Sequence, residues 1–243
     1  MNLIKSLLLF AVFLFSCLGQ ARTIAVLAYG SLINELSRGG HTLEVKNIFQ
    51  PAPFILPISM RRHSSQGSDN ERITAVIDNS QGQAKAIYFA TMNASDLKLA
   101  RENLSMREGS NGKLTYINYI KKDKPSLATE SLIPNTTQWY TRKPQGEGPY
   151  IKDAEISNED AKKIADWAAS NGYDAVIWAS YPPNLANEKE AADKLVKAKA
   201  ESNLFKNTVA YINQFPKKAE TKFEKAVIGG IDALKKEYNI SFP

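Results

Sequence analysis

One cysteine and two histidines stand in 243 residues. That is too few to build a His/Cys zinc site. The cysteine, Cys17, lies in an apolar leader, so the rest of the chain carries neither a disulfide nor a cysteine nucleophile. Charge of neither sign dominates: 31 Lys and Arg face 25 Asp and Glu, a net +6. The basic residues between 189 and 225 alternate with Glu190, Asp193, Glu201, Glu220 and Glu224, as on a solvated helix face. No basic stripe is interleaved with aromatics, which argues against nucleic acid as a partner. The G-x-S-x-G elbow of serine hydrolases is absent as well. The longest unbroken apolar run, Leu7 to Phe15, is nine residues, where a membrane-spanning helix takes ~20.

What remains is an ordinary folding composition, 43% hydrophobic and 23% charged. The length is enough for a full core without disulfide or metal staples. The nine-residue run follows a start carrying Lys5, the pattern of a signal peptide over residues 1–21. Two exits compete. Gly19-Gln20-Ala21 matches the small-x-small pattern of signal-peptidase cleavage, and Leu14-Phe15-Ser16-Cys17 resembles a bacterial lipobox that would leave a lipid anchor on Cys17. Either exit predicts a periplasmic, secreted or membrane-anchored protein.

Beyond the leader, IAVLA at 24–28 reads as a buried strand running into the turn Tyr29-Gly30-Ser31. PFILPIS at 53–59 reads as an edge or irregular strand because of its two prolines, and 63–72 as a polar loop. ITAVI (73–77) and AKAIYFAT (84–91) flank Asn79-Ser80-Gln81-Gly82 like a hairpin. Ser95 is placed to cap a helix over 96–104 that exits through Ser105-Met106-Arg107-Glu108-Gly109. LTYINYI (114–120) alternates as a strand. Residues 122–156 are a long Pro- and Gly-containing excursion. Ser157 opens a helix that Gly172 closes, and DAVIWAS (174–180) is a strand. Helices at 187–202 and 217–238 follow, the second with a stripe through Phe223, Val227, Ile231, Leu234 and Tyr238 but interrupted by Gly229-Gly230. The pattern is α+β, in one domain over 22–243.

Two short stretches can carry chemistry. In Tyr29-Gly30-Ser31-Leu32, a glycine just past a buried strand permits a tight turn and brings main-chain N–H groups close to a ligand. Tyr29 offers an aromatic wall and a donor, and Ser31 a hydroxyl, a combination suited to a carboxylate or a developing oxyanion. Glu108, at the mouth of a helix exit, becomes a usable base near neutral pH if partly desolvated. The plainer readings are a common strand-turn sequence and a solvated glutamate paired with Arg107 or another cation.

Taken in this order, the two stretches resemble the γ-glutamylcyclotransferase-like (ChaC/AIG2-like) superfamily. Its Tyr-Gly-Ser-x loop is matched by Tyr29-Gly30-Ser31-Leu32. Its Leu-Asp-x-Arg-Glu-Gly segment is matched by Leu104-Ser105-Met106-Arg107-Glu108-Gly109, with Ser105 in place of the Asp. Arg61-Arg62-His63 followed by Gln66-Gly67-Ser68 is similar to the ChaC-type branch, which acts on glutathione. DAVIWASYPPN (174–184) and Tyr211 to Pro216 are similar to segments of bacterial relatives. The resemblance implies a small mixed β-barrel flanked by helices, with a cavity at one side. It also implies release of 5-oxoproline from a γ-glutamyl peptide or amine without metal or organic cofactor. Glu108 would be general base, Tyr29, Gly30, Ser31 and Leu32 the substrate loop, and Arg62 a carboxylate partner. Two other readings stay open: a non-catalytic envelope binding protein that keeps the fold and cavity, and a transferase passing the γ-glutamyl group to another amine. His41 and His63 read as surface or turn residues, and Trp139, Tyr140 and Tyr150 as core packing of the excursion, which itself could reshape or cover the cavity.

Overall fold

The computed structural model describes residues 22–64, 71–110, 112–123, 125–142, 145, 149–215 and 221–241. The leader with Cys17 and the Gln66-Gly67-Ser68 stretch lie outside the described residues. Among the described residues the strands are β1 (Ile24–Ala28), β2 (Ser37–Arg38), β3 (His41–Thr42), β4 (Gln50–Ser64), β5 (Arg72–Ile77), β6 (Gln83–Thr91), β7 (Ile117–Lys122), β8 (Glu130–Leu132), β9 (Trp139–Arg142) and β10 (Ala175–Ala179). The helices among the described residues are α1 (Leu97–Arg107), α2 (Asn158–Ser170), α3 (Glu188–Ala198), α4 (Asn203–Ile212), α5 (Lys222–Ile228) and α6 (Ile231–Tyr238). The chain is α+β, as its element order predicts. Among the described residues no helix is long and apolar enough to cross a membrane.

Eight strands form one sheet in the order β5-β4-β6-β1-β10-β7-β9-β8, and β2 pairs with β3 apart from it. The ladder ends at β5 and β8 and is open where a closed barrel was expected. The β5 edge is covered rather than paired. Ile73 N–H donates to Thr208 Oγ1 at 2.9 Å and Ala75 N–H to Tyr211 Oη at 3.2 Å. A helix repeat of three thereby meets a strand repeat of two, and α4 takes up donors that a closing strand would otherwise pair.

β1 is buried at every residue because it is covered on both faces. Ala25 and Leu27 join one core with α2–α6, and Ile24, Val26 and Ala28 join a second core with Ala100 and Leu104 of α1. That accounts for an unbroken apolar run in place of alternation. β1 lies parallel to β10 and antiparallel to β6.

Several elements depart from the sequence reading. β5 and β6 do not pair with each other; each pairs with β4, which lies between them. β4 pairs with β5 over Ile58–Ser64 and with β6 over Gln50–Ile58, so the two neighbours meet it at opposite ends, and the half carrying Pro51, Pro53 and Pro57 pairs with β6 alone. The prolines sit where one side of the strand needs no donor, so the edge reading holds for that half. Asp96, not Ser95, caps α1 by accepting from Leu99 N–H. The C-terminal stripe divides at Gly229-Gly230 into α5 and α6. Thr221 and Glu224 form a full capping box, and Glu224, buried, also pairs with Lys85 of β6. The excursion at 122–156 supplies β8, β9 and a short turn of helix, with Trp139 in the core.

Candidate active site

The chain leaves the C-terminal ends of parallel β1 and β10 toward opposite faces: Leu32 joins the α1 side and Leu185 the other. A crevice opens where adjacent parallel strands part in this way. It is a cavity of about 260 Å³, lined among others by Tyr29, Ser31, Leu32, Arg62, Glu108 and Tyr181. The predicted loop and the predicted acid, far apart in sequence, thus face one space. Among the described residues, none of those lining the cavity comes from the excursion. A second, polar cavity of about 230 Å³ beside Asn118 and Trp178 contains none of the predicted site residues.

Gly30 is buried with φ +67°, a left-handed conformation that glycine adopts without strain. A Cβ there would collide with Tyr211 Oη. The glycine therefore serves both the turn and the close approach of α4. Ser31 and Leu32 follow in a single turn of 3-10 helix, whose leading N–H groups have no acceptor within it. Tyr29 differs from expectation. Its hydroxyl donates to the carbonyl of Ala179 at the end of β10, so it clasps the two strands and its donor is spent.

Glu108 is the C-cap of α1. Gly109, at φ +75°, turns the chain out of the helix. Its N–H bonds Met106 C=O at 3.0 Å, and Ser110 N–H bonds Ser105 C=O at 2.9 Å. This paired closure fixes the direction in which Glu108 leaves the helix. Glu108 Oε1 accepts from Arg107 Nη1 at 2.6 Å. The pair is not the solvated one of the plainer reading, because the side chains are 13% and 1% exposed. Arg107 Nη2 also donates to the Glu35 carbonyl.

Arg61 and Arg62 separate by function. Arg61 is fully buried, 2.7 Å from Asp78 and 3.2 Å from Asp153. Arg62 lines the cavity, donates to Pro182 C=O at 2.7 Å and lies 4.9 Å over the Tyr181 ring. His63 is not in a turn: it lies within β4, one residue before its end, on the cavity wall, with Nε2 2.5 Å from Glu71 Oε1. His41 is exposed, as expected.

Sequence reasoning passed over Arg38 and Arg72, and it met Tyr181 and Tyr211 only as parts of segments carrying a resemblance. All four line the cavity. Tyr181 bonds Ser110 Oγ and stacks at 4.8 Å on Tyr116. Its position, one residue after strand-ending Ser180 and before Pro182-Pro183, was the available clue. Burial, and then the Glu108 charge, push the Tyr181 hydroxyl up to about 12. Burial pushes Tyr211 up to about 12 as well. The same two causes hold Tyr29 well above the ordinary tyrosine value. All three remain neutral at physiological pH. Burial lowers Arg62 and Arg72 from the usual arginine value, though they stay charged.

The arrangement combines a carboxylate of limited exposure, a backbone turn with donors, and several guanidinium groups around one small space. Comparison with protein-family models, curated proteins and solved structures finds no match to this chain.

Proposed function

We propose that the chain is a γ-glutamylcyclotransferase-like enzyme, releasing 5-oxoproline from a γ-glutamyl compound. The observation that carries this reading is the meeting of Glu108 and the Tyr29–Leu32 loop at one cavity. In the reaction, Glu108 takes a proton from the substrate's α-ammonium group. The freed amine attacks the γ-carbonyl carbon, a C–N bond forms, and the N–H groups of the loop stabilise the oxyanion. The γ-amide C–N bond then breaks, the departing amine takes back the proton held by Glu108, and the ring nitrogen gives up its second proton through Glu108 to the released amine, which leaves as an ammonium. Water is not consumed. Because the nucleophile is tethered, orientation and proton transfer account for the catalysis.

This reading implies the superfamily's fold, with the sheet left open at β5 and β8 and the β5 edge covered by α4. With residues 1–21 read as an export signal, the substrate is a γ-glutamyl compound of the periplasm or the medium.

The test is 5-oxoproline release by the purified protein from γ-glutamyl peptides and amines, with Glu108→Gln alongside. A loss of at least ~10²-fold, the scale of a general base, is expected in the variant. Equal rates in both proteins would move the base elsewhere. A new γ-glutamyl amide as product would favour the transferase. Binding without turnover in the wild type would favour an envelope binding protein.

A further inference from the structure

Arg38, Arg62, Arg72 and Arg107 line the cavity, and Glu108 is the one acidic side chain that does so among the described residues. Arg107 is matched by Glu108 at 2.6 Å and by Glu35 Oε2 at 3.9 Å. His63 faces Glu71 at 2.5 Å. Among the described residues, Arg38, Arg62 and Arg72 have no carboxylate at ion-pair distance. Arg62 is held by the Pro182 carbonyl and the Tyr181 ring, and Arg72 lies 5.2 Å over the Tyr211 ring. These contacts orient the guanidinium groups without neutralising them. Arg72 is lowered first by burial and then by Arg38, with Glu35 and Glu108 acting more weakly in the opposite sense, so Arg38 and Arg72 share one space. Fixed cations in a small, partly desolvated space form a field for anions, and the guanidinium fork suits carboxylates.

A γ-glutamyl unit brings one ammonium and one α-carboxylate, which cancel, and the reacting amide is neutral. Any surplus negative charge must therefore come from the departing amine. A simple amine adds none, a neutral amino acid adds one carboxylate, and an acidic amino acid adds two. Arg62, beside Tyr181 and the loop, suits the carboxylate of the γ-glutamyl unit. Arg38 and Arg72 remain as a neighbouring pair.

We infer that the preferred substrate carries an acidic amino acid as its departing amine, and that Arg38 and Arg72 bind the two carboxylates beyond the scissile amide. The inference rests on the cyclotransferase reading above. The test compares kcat/KM of the full-length protein for γ-glutamylglutamate and γ-glutamylglutamine, which have nearly the same shape and differ by one charge. The acidic peptide should be favoured by about 10-fold or more, the scale of one charge-assisted hydrogen bond. Of Arg38→Gln and Arg72→Gln, the one that removes the partner of the side-chain carboxylate should bring that ratio toward one, and the other should lower kcat/KM for both peptides alike. The ratio is internal to each protein, so loss of folded material cancels. Release from both peptides at similar rates in the wild type would overturn the inference and leave the cyclotransferase reading standing. A ratio unchanged in both variants would overturn the role given to the two arginines. Release from neither peptide would overturn the reading and the inference with it.

Discussion

Arg61 and Arg62 are adjacent in sequence and opposite in role, because successive strand residues face opposite sides. Arg61 ties β4 to Asp78, whose side chain is wholly buried. Burial works against the Asp78 charge, but hydrogen bonds from Ser59, Ser80 and Arg61 outweigh it and hold the carboxyl below its ordinary value. A carboxyl depressed in the folded state adds stability that is fully present above its unfolded pKa of about 3.9 and lost as pH falls through the folded value. Asp78→Ala should therefore lower stability at pH 7 by roughly 3 kcal/mol, since it leaves a buried arginine short of its partner. Urea melts at pH 7 and at acid pH should show that difference shrinking on acidification. Gly30→Ala should cost about 1–3 kcal/mol for the left-handed backbone and the collision with Tyr211. Adding Tyr211→Phe should recover part of it, because the hydroxyl is the nearest atom; recovery of none would place the whole cost in the backbone.

At the scale of elements, α1 matters for how it ends. Gly109 closes the helix so that Glu108 departs toward the cavity. Gly109→Ala should destabilise the protein by about 1 kcal/mol and, by shifting Glu108, lower kcat more than it raises KM for 5-oxoproline release. A stability loss with unchanged kcat would mean the cap does not position the acid. The motif around Glu108 was legible because the helix signals are local: a capping residue, periodic Leu97, Ala100 and Leu104, then glycine. The hairpin reading of β5 and β6 failed for a nonlocal reason. Two strand-like runs joined by turn residues look alike whether they pair with each other or flank a third strand, and β4 enters from earlier in the chain. The prolines of β4 signalled an edge correctly for half its length, since only its later residues meet β5.

For the whole molecule, the parallel pairing of β1 and β10 brings residues 27–32, 107–108 and 179–184 around one space. A ligand filling that space should stabilise the fold by mass action. A γ-glutamyl peptide held at ~100 times its Kd on the Glu108→Gln variant adds about 2.7 kcal/mol, a rise of roughly 5–10 °C in Tm for a chain of this size. No shift at saturating peptide would argue against the cavity as the binding site.

Composition, element types and the two motifs are properties of short windows, and the sequence alone determined them: an α+β chain, the strand-to-turn Tyr29-Gly30-Ser31-Leu32, the helix exit at Glu108. Local sterics, capping and periodicity act within a few residues, so they can be read there. Only the tertiary structure decided that the sheet stays open, with α4 covering β5. It also withdrew the Tyr29 hydroxyl from the site and turned Arg38, Arg72, Tyr181 and Tyr211 toward Glu108. Those outcomes depend on register and on which faces meet, set by packing between residues up to 150 positions apart, which no short window contains.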